Sequence, residues 1–158
     1  MVGHVNFKVG KMIYLREVTE ADIDITYKWA NDPITRQNSF NTSYIKFEEH
    51  AAWFERMLSR QDVKMYIMVD GSVPVGQIRI KIINGEGEIS YSIAPDKRGK
   101  GYGRKIVSLL ILKVKDSFPH ITKLIAEVKP DNLPSRAIFE RKQFGMKIIR
   151  YELSLCKD

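Results

Sequence analysis

The chain has 158 residues, of which 44% are hydrophobic and 28% are charged. This composition is typical of one soluble globular domain, which we place over residues 1–158. The net charge of +7 suits an anionic small molecule, nucleic acid or a membrane surface as partner, whereas the single cysteine, Cys156, excludes an intramolecular disulfide and a zinc site built from several cysteines.

The first ten residues hold no long apolar stretch, and no run has the roughly 18 apolar residues of a membrane span. We therefore expect a cytoplasmic protein without a membrane partner. Lys11–Val18 then alternates as a strand does. Thr19 is typical of a helix N-cap because acidic residues follow it in the first turn. This first helix is expected to run to Ala30, since Pro33 stops it.

The next segment, Ile34–Ile45, is predicted as a polar loop. A second helix is predicted over Lys46–Arg60, because apolar residues recur in it at spacings of three and four. These residues are Phe47, Ala51, Phe54 and Leu58.

After this helix the hydrophobic period changes to that of strands. Three strands are predicted: Met65–Val69, Val73–Ile83 and Glu88–Ile93. The turn signals Asp70-Gly71 and Asn84-Gly85 join them into an antiparallel meander, and Pro74 is typical of an edge or a bulge.

The last third of the chain begins with a glycine-rich loop and is predicted to continue with a helix, a strand, a helix and a strand. Their ranges are Tyr102–Ser117, Leu124–Val128, Pro134–Arg141 and Met146–Leu155. The strand–helix–strand order implies a parallel crossover. The complete order is β-α-α-β-β-β-α-β-α-β, an α/β (α+β) arrangement.

The glycine-rich loop carries the clearest chemical signal. Glycines let backbone N–H groups approach an anion closely, and the helix N-terminus behind the loop adds unpaired N–H groups. Charges are added by Arg98, Lys100 and Arg104. The string contains no Walker A motif, and the two-residue spacing of Gly99, Gly101 and Gly103 differs from a dinucleotide-binding fingerprint. We expect this loop to bind a pyrophosphate.

The segment Arg98-Gly-Lys-Gly101-Tyr-Gly103 resembles the pyrophosphate-binding signature of the GNAT acetyltransferase superfamily, Arg/Gln-x-x-Gly-x-Gly/Ala. The stretch from Asn132 to Phe144 is similar to a second element of that family, and the resemblance covers roughly residues 11–155. It implies a GNAT fold with a central mixed, mostly antiparallel sheet flanked by helices. It also implies acetyl-CoA as co-substrate, held by Ile93, Ala94, Arg98, Gly99, Lys100, Gly101, Tyr102, Gly103, Arg104, Asn132, Ser135 and Phe139.

The resemblance further implies direct attack of an amine on the thioester. The strand before the glycine loop would splay from the strand after the next helix, and the backbone N–H near Ile93 would polarise the acetyl carbonyl. Glu88 is the candidate base, with Ser90 on the same face of its strand. The frequent general-acid tyrosine of the family is replaced by Phe139, so Tyr91 and Tyr102 are the nearest substitutes and no acid is assigned.

The region from Trp29 to Phe54 looks like the GNAT branch that acetylates the 4-amino group of UDP-linked sugars in nonulosonate (pseudaminic acid type) biosynthesis. The resemblance implies acceptor contacts from Arg36, Asn38, His50 and Trp53. Two other functions stay open: a protein or peptide amine acetyltransferase, and a non-catalytic acyl-CoA-binding module. We expect no metal site and no nucleic acid, and a homodimer is expected from the family alone.

Overall fold

The computed structural model describes residues 11–146. The N-terminal arm and, apart from Met146, the predicted last strand lie outside the described residues. The strands are β1 (Ile13–Glu17), β2 (Val63–Asp70), β3 (Val73–Ile83), β4 (Glu86–Ile93) and β5 (Lys123–Ala126). The helices are α1 (Ile23–Ala30), α2 (Pro33–Asn38), α3 (Phe47–Ser59), α4 (Tyr102–Ser117) and α5 (Leu133–Arg141).

The described strands form one sheet in the order β1-β2-β3-β4-β5. The pairs from β1 to β4 are antiparallel, and β4 pairs with β5 in parallel. The sheet is therefore mixed and mostly antiparallel, with α4 as the crossover between its two parallel strands, as predicted.

β3 contains a bulge directly after Pro74, the residue at which the sequence indicates an edge or a bulge. Met68 of β2 pairs with Gly76, whereas the next residue, Val69, pairs with Pro74. Val75 is therefore the extra residue on β3. A proline cannot donate a ladder hydrogen bond, and this irregularity accommodates it inside a strand that is paired on both sides.

The two faces of the sheet carry separate cores. On one face α4 and α5 cover alternate residues of β2, β3 and β4, and the buried side chains include Ile78, Ile80, Ile89, Ile106 and Leu110. On the other face α1 and α3 pack on β2 through Trp29, Phe54, Ile67 and Val69. Burial of each large aliphatic side chain contributes about 1.5–3 kcal/mol. The smaller second core leaves the neighbouring part of β3 and β4 to polar residues.

The prediction of a continuous loop over Ile34–Ile45 is wrong in its first part, because Pro33–Asn38 is a helix. Pro33 ends α1 but also occupies the first turn of α2, where its missing N–H costs nothing. The carboxylate of Asp32 caps this helix by accepting from the Thr35 N–H at 3.0 Å. Only the tertiary structure distinguishes a proline that stops one helix from a proline that also starts the next.

The first long helix also begins later than predicted, with a 3-10 turn at Glu20–Asp22 before α1. The buried Asp22 carboxylate accepts two hydrogen bonds from Arg16, at 2.7 and 2.8 Å, and one from the Thr19 N–H at 2.9 Å. The Arg16 hydrogen bonds hold the pKa of Asp22 below its ordinary value against the opposing effect of burial. This cluster joins the end of β1 to the start of α1.

Candidate functional site

The glycine-rich loop has the backbone shape that its sequence predicts. Gly99 and Gly101 have φ values of +73° and +83°, in the left-handed region that favours glycine. A Cβ at either position would meet nothing within 4 Å, so the loop surface is open. Gly103 serves a different purpose, because a Cβ there would lie 2.7 Å from Cδ1 of Ile138. The third glycine therefore lets α4 and α5 pack closely.

The N-terminus of α4 lies directly behind this open loop. Its first residue is Tyr102, with Gly101 as the N-cap, and the Lys105 N–H is bonded to the Gly101 carbonyl at 3.2 Å. The N–H groups of the three residues before Lys105 have no acceptor inside the helix. Lys100 and Arg104 are exposed on the loop and the first turn. This combination of donors and charges can bind a phosphate anion.

Arg98 was predicted to bind the pyrophosphate, but its side chain points towards the start of α2. Its Nη2 lies 2.6 Å from Asp32 Oδ2 and 3.0 Å from Thr35 Oγ1, so the guanidinium binds the capped end of α2. Burial would raise the pKa of Asp32, but the hydrogen bonds from Arg98 and Thr35 outweigh it and lower that pKa. In this structure Arg98 connects the glycine loop to the helix region before β2.

The edge of β4 that faces β5 opens towards the glycine loop. The parallel pairing ends at Ile89 and Ala126, whereas β4 continues to Ile93 with β3 as its partner on the other side. The backbone of residues 90–93 therefore faces a gap beside β5. This is the splayed arrangement that the family resemblance implies for an inserted pantetheine arm.

The backbone at the end of β4 supplies a donor to that gap. The Ala94 N–H is bonded to the Val75 carbonyl on the β3 side at 2.9 Å. Because successive N–H groups of a strand point in opposite directions, the Ile93 N–H points away from β3. The side chains of Ile93 and Ala94 are buried, so these residues contribute to the site through their backbone.

Glu88 and Ser90 lie on β4 just before the gap, and both are exposed. They face the sheet side that α1 and α3 partly cover. Ser90 is opposite Arg79 of β3, and Glu88 is opposite Lys81. An exposed carboxylate next to a gap in the sheet can accept a proton from an incoming amine.

On the other side of the gap, α5 is tied to β4 by hydroxyl groups. Asn132 is the N-cap of α5, and its Oδ1 accepts from the Ser135 N–H at 3.3 Å. The Ser135 Oγ shares a hydrogen bond of 2.8 Å with the Tyr91 hydroxyl. Asn132 therefore caps α5, and Ser135 contacts β4 directly.

Phe139 is buried in the larger core, where its ring centroid lies 6.0 Å from that of Tyr91 and 5.1 Å from that of Phe144. Tyr91 therefore brings a hydroxyl close to the position of the missing tyrosine. Burial raises the pKa of Tyr91. The hydroxyl of Tyr102 instead donates to Asp70, which raises the pKa of Tyr102.

Arg36, predicted to bind an acceptor phosphate, is engaged within its own loop. Its Nε donates to the Ala30 carbonyl at 2.5 Å, and its Nη1 donates to the Asn41 carbonyl at 2.9 Å. A further bond of 3.0 Å runs from Nη2 to Ser39 Oγ. These bonds fold the segment after α2 and leave the guanidinium few donors for a ligand.

His50 lies in the core rather than on a ligand surface. It is only 3% exposed, and its Nε2 lies 3.2 Å from Thr26 Oγ1. Burial lowers the pKa of His50, which keeps the imidazole neutral. The predicted direct contact with the acceptor does not fit this placement, because α1 and α3 pack around the ring.

Trp53 and Asn38 are more accessible, since both are half-buried. Trp53 lies in the middle of α3, and its ring centroid is 5.2 Å from the Cζ of Arg79. Asn38 ends α2, and the neighbouring Gln37 carbonyl accepts from Lys129 Nζ at 2.9 Å. The helix region before β2 therefore reaches across the sheet to the chain that follows β5.

Two residues of this region, Asp32 and Arg79, were not singled out from the sequence. Asp32 could have been identified as a cap from the Asp-Pro-x-Thr pattern. Arg79 could have been noticed because Gln77, Arg79 and Lys81 alternate as a polar row within a strand of otherwise buried residues.

Two classes of feature are absent from residues 11–146. No group of three or more His, Cys, Asp or Glu side chains there could hold a metal ion. The helices in that range also lack the length and apolar character of a bilayer-crossing segment.

Solved structures with this fold include three acetyltransferases. The aminoglycoside acetyltransferase AAC(6')-Ib in complex with coenzyme A has 20% identity and a TM-score of 0.75, with 86% of each chain covered. The spermidine N-acetyltransferase from Vibrio cholerae, in complex with CoA and spermine, has 18% identity and a TM-score of 0.73, with 82% of this chain and 78% of that chain covered. RimL, a ribosomal L7/L12 alpha-N-protein acetyltransferase in complex with coenzyme A, has 18% identity and a TM-score of 0.75, with 88% and 83% covered.

Curated protein sequences include no significant match to this chain. The family model described as acetyltransferase (GNAT) domain, however, matches residues 13–145. With the strand order, the glycine loop before α4 and the gap between β4 and β5, this match shows that the chain belongs to the GNAT family of acetyl-CoA-dependent N-acetyltransferases.

Proposed function

We propose that the protein transfers the acetyl group of acetyl-CoA to the 4-amino group of a UDP-linked amino sugar by direct attack. The observation that carries the acetyl-transfer part is the open glycine loop at the N-terminus of α4, beside the unpaired edge of β4. The sugar part rests on the sequence pattern between Trp29 and Phe54 and on the polar face of the sheet next to α3. A homodimer stays a prediction of the family resemblance.

On the cofactor side, we propose that the pyrophosphate binds the free N–H groups of α4 and the residues from Gly99 to Arg104. Gly99 and Gly101 suit this role because their positive φ values turn the backbone while leaving open space. Lys100 and Arg104 add attraction from the exposed surface. Arg98 would act indirectly, by holding the loop against α2.

The pantetheine arm would lie in the gap beside residues 90–93 of β4. There the Ile93 N–H would donate to the acetyl carbonyl oxygen, where negative charge develops during attack. Asn132 and Ser135 would border the arm from α5, with the buried Phe139 behind them.

For the chemical step, we propose Glu88 as the base, directly or through a water molecule. The amine nitrogen bonds to the acetyl carbon as the carbon–sulfur bond breaks, Glu88 takes the amine proton, and CoA leaves as the thiolate. Ser90, two residues further on the same face of β4, would help to place the amine. The ring of Tyr91 packs against Phe139. Its hydroxyl would therefore be the group to test as proton donor to the thiolate.

On the acceptor side, Trp53 of α3 would border the sugar or base, and Asn38 would approach the acceptor from the end of α2. The contacts of Arg36 and His50 support a role in shaping this region rather than in touching the acceptor. The fold is shared with enzymes whose names specify aminoglycoside, polyamine and protein acceptors, so these amines belong in the same assay.

The test follows CoA thiol release from acetyl-CoA with UDP-4-amino-4,6-dideoxy sugars, kanamycin, spermidine and N-terminal peptides offered separately. Turnover confined to the nucleotide sugars supports the proposal. Turnover confined to peptides, polyamines or aminoglycosides contradicts the sugar acceptor while keeping the acetyl-transfer function. Tight acetyl-CoA binding with no turnover on any amine would favour the non-catalytic acyl-CoA-binding module.

A further inference from the structure

Arg79 occupies an unusual position in the middle of β3. It is half-buried on the sheet face that α1 and α3 partly cover, and both flanking strands are paired to its own. Burial lowers the pKa of Arg79, the nearby Glu88 opposes that shift, and Arg60 adds to it. A guanidinium in such a place loses part of its hydration, and an arginine normally recovers that loss through hydrogen bonds.

Within residues 11–146 those hydrogen bonds are missing. Arg79 has no hydrogen-bond acceptor and no carboxylate within ion-pair distance in that range, although Glu88 is close enough to affect it electrostatically. Its contact is the face of Trp53, with Cζ 5.2 Å from the ring centroid. The aromatic ring attracts the cation but accepts no N–H hydrogen bond in the plane of the guanidinium. Within residues 11–146, the five N–H donors therefore stay available to a ligand.

The surroundings of Arg79 connect this donor group to the reaction centre. Ser90 is its direct partner on β4, and Glu88 is the next residue on the same face of that strand. On the α3 side, the Trp53 ring lies below the Cζ of Arg79. Helix α4, whose N-terminus follows the glycine loop, packs on the opposite face of the sheet. Arg79 is therefore placed to serve the acceptor rather than the pyrophosphate of the co-substrate.

We propose that Arg79, which lies over Trp53, binds a phosphate or carboxylate group of the acceptor, so that the amine that is acetylated belongs to a molecule with such an anionic group. This inference rests on the proposed acetyl transfer and defines its acceptor class. The planar fork of Arg79 matches the oxygens of a phosphate or carboxylate in bidentate fashion, and the Trp53 ring beneath its Cζ helps to hold the guanidinium in place. A polyamine or an aminoglycoside brings further positive charge to the same place and is disfavoured.

The test compares matched amines that differ in one anionic group. Glucosamine 6-phosphate is paired with glucosamine for the phosphate, and lysine is paired with lysinamide for the carboxylate. For each pair the ratio of kcat/KM values, for the amine with the anionic group over the amine without it, is measured with wild type, Arg79→Gln and Arg79→Lys. Because both members of a pair are measured on the same variant, a partly unfolded preparation cancels in the ratio.

We expect wild type to prefer the anionic member of at least one pair. Arg79→Gln should reduce that preference by roughly 10- to 150-fold, the worth of a hydrogen-bonded charge, mainly through KM. Arg79→Lys should retain part of it. The control Lys81→Gln, two residues along the same face of β3, should leave the ratio as in wild type. The pair with the larger effect identifies phosphate or carboxylate as the group that is bound.

An equal ratio in wild type and Arg79→Gln, or a wild-type preference for the amines that lack the anionic group, overturns the inference while acetyl transfer stands. If no amine is turned over, the proposed function fails, and calorimetry on the CoA-saturated protein still decides the subsite. Binding of glucosamine 6-phosphate, but not of glucosamine, that disappears in Arg79→Gln supports it. Equal binding by both proteins, or none by wild type, refutes it.

Discussion

The cofactor side and the acceptor side of the candidate site differ in what they are built from. The cofactor side is mostly backbone: the left-handed turns at Gly99 and Gly101, the first N–H groups of α4, and the unpaired edge of β4. The acceptor side is mostly side chains from α2, α3 and β3. Two of the residues predicted for it, Arg36 and His50, are engaged in contacts within the protein.

This difference explains why the local backbone of the cofactor side could be predicted, whereas the side chains that stay available on the acceptor side could not. A backbone site needs glycines at fixed spacing and a following helix, and both are visible in a short string of sequence. A side-chain site depends on which polar groups remain without a partner after folding. Arg36 and Arg79 look alike in the sequence. Yet the first donates to four carbonyl or hydroxyl oxygens between Ala30 and Ser43, whereas the second lies over Trp53.

The two sides also touch through side chains. Arg98 of the glycine loop binds Asp32 at the start of α2, and Lys129 after β5 binds the carbonyl of Gln37. A change on one side can therefore reach the other without passing through the catalytic residues. The largest effect is expected at Glu88, the residue at which both sides meet.

Glu88→Gln should cause the largest loss. If Glu88 takes the amine proton, the amide cannot replace it, and kcat should fall by about 10²–10⁴-fold while acetyl-CoA affinity is retained. Steady-state kinetics and calorimetry measure the two quantities. Glu86→Gln is the matched control, since Glu86 lies on the same face of β4 and pairs with Lys123. Similar kcat losses in both variants would remove Glu88 from the mechanism.

Gly101→Ala should weaken the cofactor side next. A left-handed conformation costs a residue with a Cβ about 1–2 kcal/mol, so a rearranged loop should raise the Kd for acetyl-CoA by roughly 5- to 30-fold. The control is Gly85→Ala, which has a similar φ of +76° in the turn between β3 and β4. It should lower the Tm without changing acetyl-CoA affinity. An unchanged Kd in Gly101→Ala would show that the loop does not depend on its left-handed turn.

Asp32→Asn should separate the two sides at moderate cost. Asparagine keeps the cap on α2, so the variant removes chiefly the partly buried ion pair with Arg98, worth about 1–2 kcal/mol of unfolding free energy. Asp62→Asn, which breaks the exposed pair with Arg60, should lower the unfolding free energy less, because solvent screens a surface ion pair. Denaturant unfolding compares the two variants, and equal losses would mean that the Arg98 pair contributes no more than a surface pair.

The pH dependence of the Asp32 effect follows from its lowered pKa. The unfolded state takes up the proton at a higher pH than the folded state. The contribution of Asp32 to the free energy of unfolding is therefore fully present above its ordinary pKa near 3.9. It is lost as pH falls through the lower pKa of Asp32 in the folded protein. Wild type and Asp32→Asn should differ most near pH 7 and converge in strong acid. A constant difference down to acid pH would contradict the ion-pair account.

His50 should give the smallest effect. Burial lowers its pKa, so the folded protein resists protonation that the unfolded chain accepts. Above the ordinary histidine pKa of about 6.5, keeping His50 neutral does not reduce the free energy of unfolding. As pH drops below that value towards the folded pKa, the free energy of unfolding falls. Melting curves between pH 8 and pH 5 should show a decline in wild-type Tm, where each kcal/mol corresponds to about 2–4 °C. His50→Gln should show a flatter profile, and an identical slope would place the titrating group elsewhere.

Several features were determined by the sequence alone. Val73–Ile83 and Tyr102–Ser117 were predicted with the bounds that the structure has, because strict alternation and helical spacing are local patterns with clear turn and glycine boundaries. The antiparallel meander, its parallel crossover and the glycine loop before α4 followed from the same kind of signal. Pro74 indicated an edge or a bulge, and the structure has the bulge. Local backbone preference and hydrophobic period are sufficient wherever the conformation depends on neighbours in the chain.

The tertiary structure alone decided which polar side chains stay available. It placed His50 beside Thr26 in the core, turned Arg98 towards Asp32, and left Arg79 over Trp53 next to Ser90. The His50–Thr26, Arg79–Trp53 and Arg98–Asp32 contacts join partners 24 to 66 residues apart in the chain, which no local pattern specifies. A buried polar group is stable only when it finds a partner, and those partners are set by how the sheet brings distant segments together.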